Sequence, residues 1–109
     1  METDKTSREN LVARIKDAVL ALEPEAEIIL YGSRARGDAD EESDWDLLII
    51  LEGRVDNARA DRVRNALYEV EWDLGEVLCS IIYSRRDWET PLYRAMPFHE
   101  SVDREGILL

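Results

Sequence analysis

The chain has 109 residues, of which 45% are hydrophobic and 36% charged, and its formal net charge at pH 7 is −11. These values predict a single folded domain with one modest core, and they exclude a disordered chain and a membrane-spanning one. An excess of 25 acidic over 14 basic residues disfavours direct binding of nucleic acid, whose phosphates require a basic surface, but suits a basic protein partner.

The N-terminal stretch METDKTSREN is polar and lacks the apolar core of a signal peptide, so we expect a cytoplasmic protein. With one histidine and one cysteine, the chain is poorly equipped for a zinc site or an internal disulfide. We expect residues 1–109 to form one domain.

The first predicted element is a helix from about Ser7 to Leu22, with Ser7 or Thr6 as its N-cap and Pro24 after its end. Its apolar residues recur at helical spacing and form one face, which comprises Leu11, Ile15, Ala18, Val19 and Leu22. This face predicts a helix that packs on the core.

Two apolar runs, Ile28–Tyr31 and Leu47–Leu51, predict the first two strands, both buried. The first runs directly into Gly32-Ser33, and the second is entered through Asp44-Trp45-Asp46. If these polar groups share one site, the end of one strand meets the beginning of the other. The two strands are therefore predicted to be antiparallel.

Residues two apart in a strand point to the same face, so Asp44 and Asp46 are predicted to lie side by side with Trp45 on the other face. Two adjacent carboxylates repel each other unless a cation lies between them. Mg²⁺ suits such a pair, because it takes hard oxygen ligands and completes its shell with water and phosphate oxygens. We therefore predict a Mg²⁺ site at Asp44 and Asp46.

The Gly-Ser turn has features of a phosphate site. Gly32 allows the backbone to approach a ligand closely, and the N–H groups of Ser33, Arg34 and Ala35 can open a short helix. Arg34 and Arg36 add positive charge. The loop that follows has six carboxylates in nine residues, most of them predicted to be a solvated rim: Asp38, Asp40, Glu41, Glu42, Asp44 and Asp46.

A second helix is predicted from Asn57 to Leu74, with Gly75 as its C-terminal stop. Its apolar face comprises Val63, Ala66, Leu67, Val70 and Leu74, and three arginines are predicted to form a solvated face: Arg59, Arg62 and Arg64. A third strand follows from about Val77 to Tyr83. Because a helix connects them, the second and third strands are predicted to be parallel, through a right-handed crossover.

In the third strand, Cys79 lies in an apolar run and is predicted to be a buried structural thiol. Beyond the strand, Ser84–Asp87 resembles a capping box, which predicts a short helix. Three aromatic residues are predicted to cover the sheet: Trp88, Tyr93 and Phe98. His99 is predicted to have a surface or structural role, and residues 107–109 to dock back on the body.

The arrangement of Gly32-Ser33, ten residues, then Asp44-x-Asp46 resembles the signature of the nucleotidyltransferase superfamily that includes the DNA polymerase β palm. The fuller match, GSRARG followed by SDWDLLI, resembles its small bacterial members, the minimal nucleotidyltransferase (MNT) domain proteins. The resemblance implies an α/β (α+β) fold with a small mixed sheet of three or more strands packed with helices. It also implies that Gly32 and Ser33 hold the phosphates of a nucleoside triphosphate and that Asp44 and Asp46 bind Mg²⁺.

The family usually adds a third carboxylate from the next strand, as the group that deprotonates the attacking hydroxyl. The matching position here is Cys79 or Ser80, and neither is a carboxylate. Glu76 is the nearest acid and is the candidate for this catalytic role. The strand register, on which the assignment depends, is not defined by the sequence.

Two functions follow. The first is an Mg²⁺-dependent enzyme that transfers a nucleoside monophosphate, AMP by preference, to an acceptor hydroxyl on a partner protein. The second is a catalytically weak or inactive nucleotide-binding module that acts by docking to a partner. The resemblance implies an antitoxin whose partner is a basic, helical, ribonuclease-type protein of the HEPN class. The sequence leaves open the nucleotide base and the oligomeric state, including a homo-oligomer.

Overall fold

Between residues 3 and 109, the computed structural model describes six helices and four strands, with side chains described from residue 8 onward. The helices are α1 (Thr3–Leu22), α2 (Ser33–Arg36), α3 (Asn57–Leu74), α4 (Arg85–Trp88), α5 (Pro91–Arg94) and α6 (Pro97–Glu105). The strands are β1 (Glu27–Tyr31), β2 (Trp45–Leu51), β3 (Leu78–Ser84) and β4 (Ile107–Leu108). The predicted α/β class, with a mixed sheet packed by helices, is confirmed.

The strand order in the sheet is β3-β2-β1-β4. Strand β1 is antiparallel to β2, and β2 is parallel to β3, so both predicted orientations are confirmed. Strand β4 pairs with β1 over two residues, and Leu109 N–H donates to the carbonyl of Ile28 at 2.8 Å. The sequence predicted that this tail docks but not that it pairs, because two residues are too few for a strand pattern.

The core consists of two apolar layers on opposite faces of the sheet. Helices α1 and α3 cover one face, with the buried residues Leu11, Ile15, Val19, Val63, Leu67 and Val70 packed against Ile28, Leu30, Leu47, Ile49 and Leu51. Trp88 and Val102 cover the other face with Leu48 and Ile50. Strand β2 is therefore buried on both faces, which explains why its sequence is a continuous apolar run.

Several details at the helix ends differ from the sequence-based expectations. Helix α1 begins at Thr3, so Thr6 and Ser7 lie within it and do not precede it as caps. Leu22 and Leu74 are exposed, at 45% and 36%, because each is the last residue of its helix and lies beyond the packed interface. Helix α3 has the predicted bounds, and Gly75 ends it in the left-handed conformation, as predicted.

The aromatic layer and its capping box are as predicted. Ser84 Oγ accepts a hydrogen bond from the N–H of Asp87 at 3.1 Å, and helix α4 begins at the next residue. Tyr93 and Phe98 join Trp88 against the sheet. His99 is buried, stacks on Trp88 at 4.0 Å between ring centroids, and has Nδ1 3.2 Å from Asp103 Oδ2. Of the two roles predicted for His99, the structural one applies.

The sequence predicted that Arg59 belongs to a solvated face, and this prediction is wrong. Its Nε and Nη2 donate to both carboxylate oxygens of Glu23 at 2.9 and 2.6 Å, and Nη1 donates to the carbonyl of Arg54 at 2.7 Å. This two-bond contact joins the end of α1 to the beginning of α3. The hydrogen bond from Arg59 lowers the pKa of Glu23 from its ordinary value of 4.5.

We expect Glu23→Gln to lower the free energy of unfolding at pH 7 by about 1 kcal/mol, since it removes a charge-assisted hydrogen bond in a partly solvated pair. The pKa of Glu23 is lower in the folded chain, so the pair stabilises the fold fully above pH 4.5 and the effect disappears as pH falls through the folded pKa. Urea titrations of both proteins at pH 7 and in acid measure this difference.

The matched control is Asp61→Asn, which breaks the exposed pair with Arg64 at 3.0 Å. Exposed pairs of this kind contribute little, so this variant is expected to unfold like the wild type at both pH values. A Glu23→Gln deficit that persists in acid would contradict the assignment to the ion pair.

None of the helices described between residues 3 and 109 has the length and apolar character needed to span a bilayer.

Candidate functional site

The turn between β1 and α2 presses directly against the beginning of β2. Gly32 has φ +76° and ψ −158°, a conformation that side chains disfavour. A Cβ atom added to Gly32 would lie 2.4 Å from Asp46 Oδ2, so any other residue here requires the turn or the Asp46 side chain to shift. The antiparallel register pairs the preceding residue, Tyr31, with Asp46. The Gly-Ser turn and the Asp-x-Asp segment therefore meet in one place.

Asp44 and Asp46 flank a tryptophan that points to the opposite face. Trp45 is buried at 5% exposure in the layer beneath α1 and α3, whereas Asp46 is half-buried and Asp44 is exposed. Partial burial raises the pKa of Asp46, and the negative charge of Asp44 raises it further. The charge of Asp46 also contributes, after burial, to raising the pKa of Tyr31 to about 12. The two carboxylates thus repel each other in the absence of a cation.

The parallel register of β2 and β3 places Cys79 next to Asp46 and Ser80 next to Leu47. Cys79 Sγ donates a hydrogen bond to Asp44 Oδ2 at 3.3 Å. Of the two candidates for the position of the third carboxylate, Cys79 and Ser80, it is therefore Cys79 that lies beside the aspartates. The prediction of a buried thiol is wrong, because Cys79 lies on an edge strand with its side chain exposed. Successive side chains of a strand point to opposite faces, so with Leu78 buried the sequence could have indicated that Cys79 faces away from the layer beneath α1 and α3.

The environment of Cys79 keeps its side chain a thiol. Partial desolvation raises the pKa of Cys79, and the hydrogen bond to Asp44 and the charges of both aspartates raise it further. A thiolate is therefore disfavoured beside these carboxylates. The group at this position is neutral and donates a proton in its hydrogen bond.

Glu76, the predicted third acid, is not brought to the two aspartates. Its Oε1 accepts a hydrogen bond from Trp45 Nε1 at 3.0 Å, and Trp45 points to the face opposite the aspartates. The N–H of Trp45 also donates to the carbonyl of Val77 at 2.9 Å. Glu76 therefore anchors Trp45 at the beginning of β2.

The two arginines of α2 have different environments. Arg34 Nη2 donates to the carbonyl of Ser43 at 2.9 Å, and its guanidinium lies 4.6 Å from the Trp45 ring centroid, in cation–π contact. These contacts hold the acidic loop onto α2. Arg36 is exposed and pairs with Asp38 at 3.1 Å and with Glu105 at 3.2 Å.

Arg36 acts on the carboxylates through its charge, which opposes the rise in the pKa of Asp46. The N–H groups of Ala35 and Arg36 both donate to the carbonyl of Gly32 at 3.0 Å. Three N–H groups were predicted to bind a phosphate, and that of Ala35 already donates a hydrogen bond within the turn. Ser33 and Arg34 are the remaining two at the beginning of α2.

The donor set fits a hard divalent cation only in part. Within the described side chains, no group of three or more His, Cys, Asp or Glu residues is arranged to hold a metal ion. Asp44 and Asp46 supply two carboxylates, and a cation between them would relieve the repulsion that, after burial, raises the pKa of Asp46. Mg²⁺ suits this count, since it usually takes one or two carboxylates and completes its octahedron with water and phosphate oxygens.

Comparison with known proteins agrees with this geometry. A family model described as "Nucleotidyltransferase domain" matches residues 12–98, which is more than half of the chain and spans the segment from α1 into α6. No curated protein matches the chain significantly.

Proposed function

The chain belongs to the nucleotidyltransferase domain family, and from this premise we propose that it transfers AMP from ATP to a hydroxyl group of a partner protein. Family membership supports transfer of a nucleoside monophosphate in general, and divalent metal and nucleoside triphosphate are what such domains generally use. The choice of AMP, of Mg²⁺ and of a protein acceptor is our proposal. The main structural support for a nucleotide site is the close approach of Gly32 to Asp46, which brings the turn and the carboxylates together.

In the proposed site, Asp44 and Asp46 hold Mg²⁺, and the N–H groups and hydroxyl at Ser33 bind the phosphates. Gly32 lets those phosphates approach the backbone, and Arg36 adds positive charge. Arg34 positions the acidic loop through its bond to the Ser43 carbonyl at 2.9 Å. When bound, Mg²⁺ supplies positive charge that offsets the triphosphate and both carboxylates.

The transfer step is a displacement at the α-phosphorus of ATP. The acceptor oxygen forms a bond to that phosphorus, the bond from the α-phosphorus to the bridging oxygen breaks, and pyrophosphate leaves. The acceptor hydroxyl releases one proton. Cys79 is a thiol hydrogen-bonded to Asp44 and supplies no carboxylate for that proton, so we propose that the proton passes to water.

The test has two stages. Calorimetric titration with ATP, GTP, CTP and UTP in the presence of Mg²⁺ measures binding and selects the base. The chain is then purified at low salt with its native partner and incubated with ATP, and the intact mass of the partner is measured. A mass increase of one AMP group supports transfer, and absence of both nucleotide binding and mass increase contradicts the proposal.

A second candidate function is a nucleotide-binding module that docks to its partner without modifying it. The specific observation in its favour is Cys79, which lies beside Asp46 where relatives of this signature place a carboxylate. Nucleotide binding with a stable but unmodified partner would favour this alternative over the enzyme.

We expect Cys79→Asp to raise the rate of Mg²⁺-dependent transfer by roughly a hundredfold, because it adds a carboxylate that can take the acceptor proton. Without a divalent cation the variant is expected to be less stable than the wild type, since a third carboxylate then lies beside Asp44 and Asp46. Cys79→Ser is the matched control and is expected to give no gain. Equal rates for all three proteins would contradict the assignment of this position to proton transfer.

We also propose that the chain is of the MNT type and acts in the cytoplasm as the antitoxin of a basic, helical, HEPN-type protein. The net charge of −11 supports a basic partner, because opposite charge accelerates and orients association. The complex is accordingly expected to weaken as salt concentration rises. Direct binding of nucleic acid is not part of this function.

A further inference from the structure

The outward face of α3 carries two aromatic side chains that the fold leaves in solvent. Trp72 is 89% exposed and Tyr68 is 58% exposed, and residues four apart on a helix are neighbours on one face. The other two tryptophans, Trp45 and Trp88, are each only 5% exposed. The exposure of Trp72 is therefore specific to its position on the helix.

This surface lies at the same end of the sheet as the candidate site. Trp72 is in the last turn of α3, and the chain then passes through Gly75 to Val77, which is 54% exposed. The carbonyl of Val77 accepts the N–H of Trp45, the residue between the two aspartates. We call Tyr68, Trp72 and Val77 the aromatic patch.

The strand that follows the patch has a free edge. Strand β3 is the first in the order β3-β2-β1-β4, so its outer side pairs with no other described strand. Cys79 lies on this strand and contacts Asp44. Helix α3 covers the sheet face opposite the aspartates, so a protein on the patch reaches Cys79 and Asp44 by extending around this free edge.

The surroundings of the patch are acidic. Glu69 and Glu71 lie on α3 and Glu76 lies just before β3, and none of the three forms an ion pair with a Lys or Arg of the described side chains. Glu69 is exposed, whereas Glu71 accepts the N–H of Leu78 and Glu76 accepts the indole N–H of Trp45, each through one carboxylate oxygen. Asp73, by contrast, is neutralised by Arg14 at 2.7 Å. A partner that presents Lys or Arg around an apolar cleft complements this surface. A second copy of the chain does not, because its own carboxylates would face these.

Building on the proposed function, we propose that the aromatic patch is the docking surface for the protein that carries the acceptor hydroxyl. The contact surface of that protein combines an apolar cleft for Trp72 and Tyr68 with basic side chains opposite Glu69 and Glu76. Tryptophan and tyrosine are the residues that most often dominate binding energy in protein interfaces. Docking here brings the acceptor to the end of the sheet where Asp44 and Asp46 lie.

The test uses a defined probe, a synthetic amphipathic helical peptide of Leu and Lys, with a Leu and Glu peptide of the same length as its counterpart. Calorimetry at low salt measures the affinity of each peptide for the wild type, for Tyr68→Ser/Trp72→Ser, and for Leu92→Ser. Leu92 is 74% exposed on α5, on the other side of the sheet, and serves as the matched control. All substituted residues are exposed, so the three proteins are expected to melt at the same temperature.

We expect the Leu/Lys peptide to bind the wild type and Leu92→Ser equally, to shift the emission of Trp72 to shorter wavelength, and to bind the double variant roughly tenfold more weakly. Equal affinity for all three proteins, or equal binding of the Leu/Glu peptide, would overturn the docking surface. If the wild type sediments as a dimer and the double variant as a monomer, the patch binds a second copy of the chain instead.

Titration with Mg²⁺ and ATP separates this inference from the proposed function. The double variant is expected to bind ATP like the wild type, because neither Tyr68 nor Trp72 belongs to the candidate site. If ATP binds no variant while the peptide still distinguishes them, the docking surface stands and the proposed function fails. If ATP binds all variants and the peptide does not distinguish them, the docking surface fails alone.

Discussion

Replacing either Asp44 or Asp46 by Asn is expected to abolish binding of Mg²⁺ together with ATP while the fold is retained. Each substitution removes half of the negative charge that a cation would balance, and leaves the phosphates without their counter-charge. Calorimetric titration of Mg²⁺-ATP into the wild type and both variants measures the effect. We expect saturable binding for the wild type and none for either variant.

The control for this experiment is Glu41→Gln, which removes one charge from the exposed part of the same acidic loop. If the loop attracts cations only through its total charge, all three substitutions will weaken binding equally. If Asp44 and Asp46 are ligands, Glu41→Gln will bind like the wild type. Wild-type affinity in both aspartate variants would refute the site.

Stability without ligand shows whether lost binding reflects an unfolded variant. Burial and the charge of Asp44 raise the pKa of Asp46, so the Asp46 carboxyl group binds its proton more tightly in the folded chain than in the unfolded chain. Above its pKa the charged Asp46 therefore opposes folding, and this opposition disappears as pH falls. Asp46→Asn is accordingly expected to melt at a higher temperature than the wild type at pH 7 in EDTA.

Gly32→Ala is expected to lower both the stability of the fold and the affinity for nucleotide. The added Cβ would lie 2.4 Å from Asp46 Oδ2, and the backbone conformation at φ +76° and ψ −158° is itself unfavourable for alanine, by about 1–3 kcal/mol. The chain must either shift the turn or displace Asp46. Thermal unfolding and Mg²⁺-ATP titration of the variant measure the two consequences.

Gly37→Ala is the matched control. Gly37 also has a positive φ, +85°, but no atom lies within 4 Å of the added Cβ. Its substitution is expected to cost about 1–2 kcal/mol from the left-handed backbone alone and to leave ATP binding unchanged. Equal losses at Gly32 and Gly37 would mean that the turn does not press against Asp46.

A double-mutant cycle separates the contact from the backbone strain. In an Asp46→Ala background the atom that Cβ would contact is absent, so Gly32→Ala should lose only the backbone contribution. The difference between the two backgrounds measures the energy of the close approach between the turn and β2. This contact joins the two halves of the signature, so its energy bears directly on the site.

The sequence by itself determined the elements whose signals are local. The apolar runs of β1 and β2, the bounds of α3 with Gly75 after it, and the Ser84 cap all depend on residues within one turn or one strand. Period-two alternation likewise separated Asp44 and Asp46 from Trp45. The meeting of the Gly-Ser turn with these carboxylates was also predicted, because antiparallel neighbours bring opposite strand ends together.

Only the tertiary structure decided which side chains join the site from elsewhere in the chain. Cys79 lies beside Asp46 because of the register between β2 and β3, which are separated in sequence by the whole of α3. Glu76 turns to Trp45 and Arg59 turns to Glu23 for the same reason, since long-range packing selects among partners that local sequence leaves equivalent. A strand pattern specifies which face a residue occupies, whereas its neighbour on the next strand depends on how the two strands are aligned.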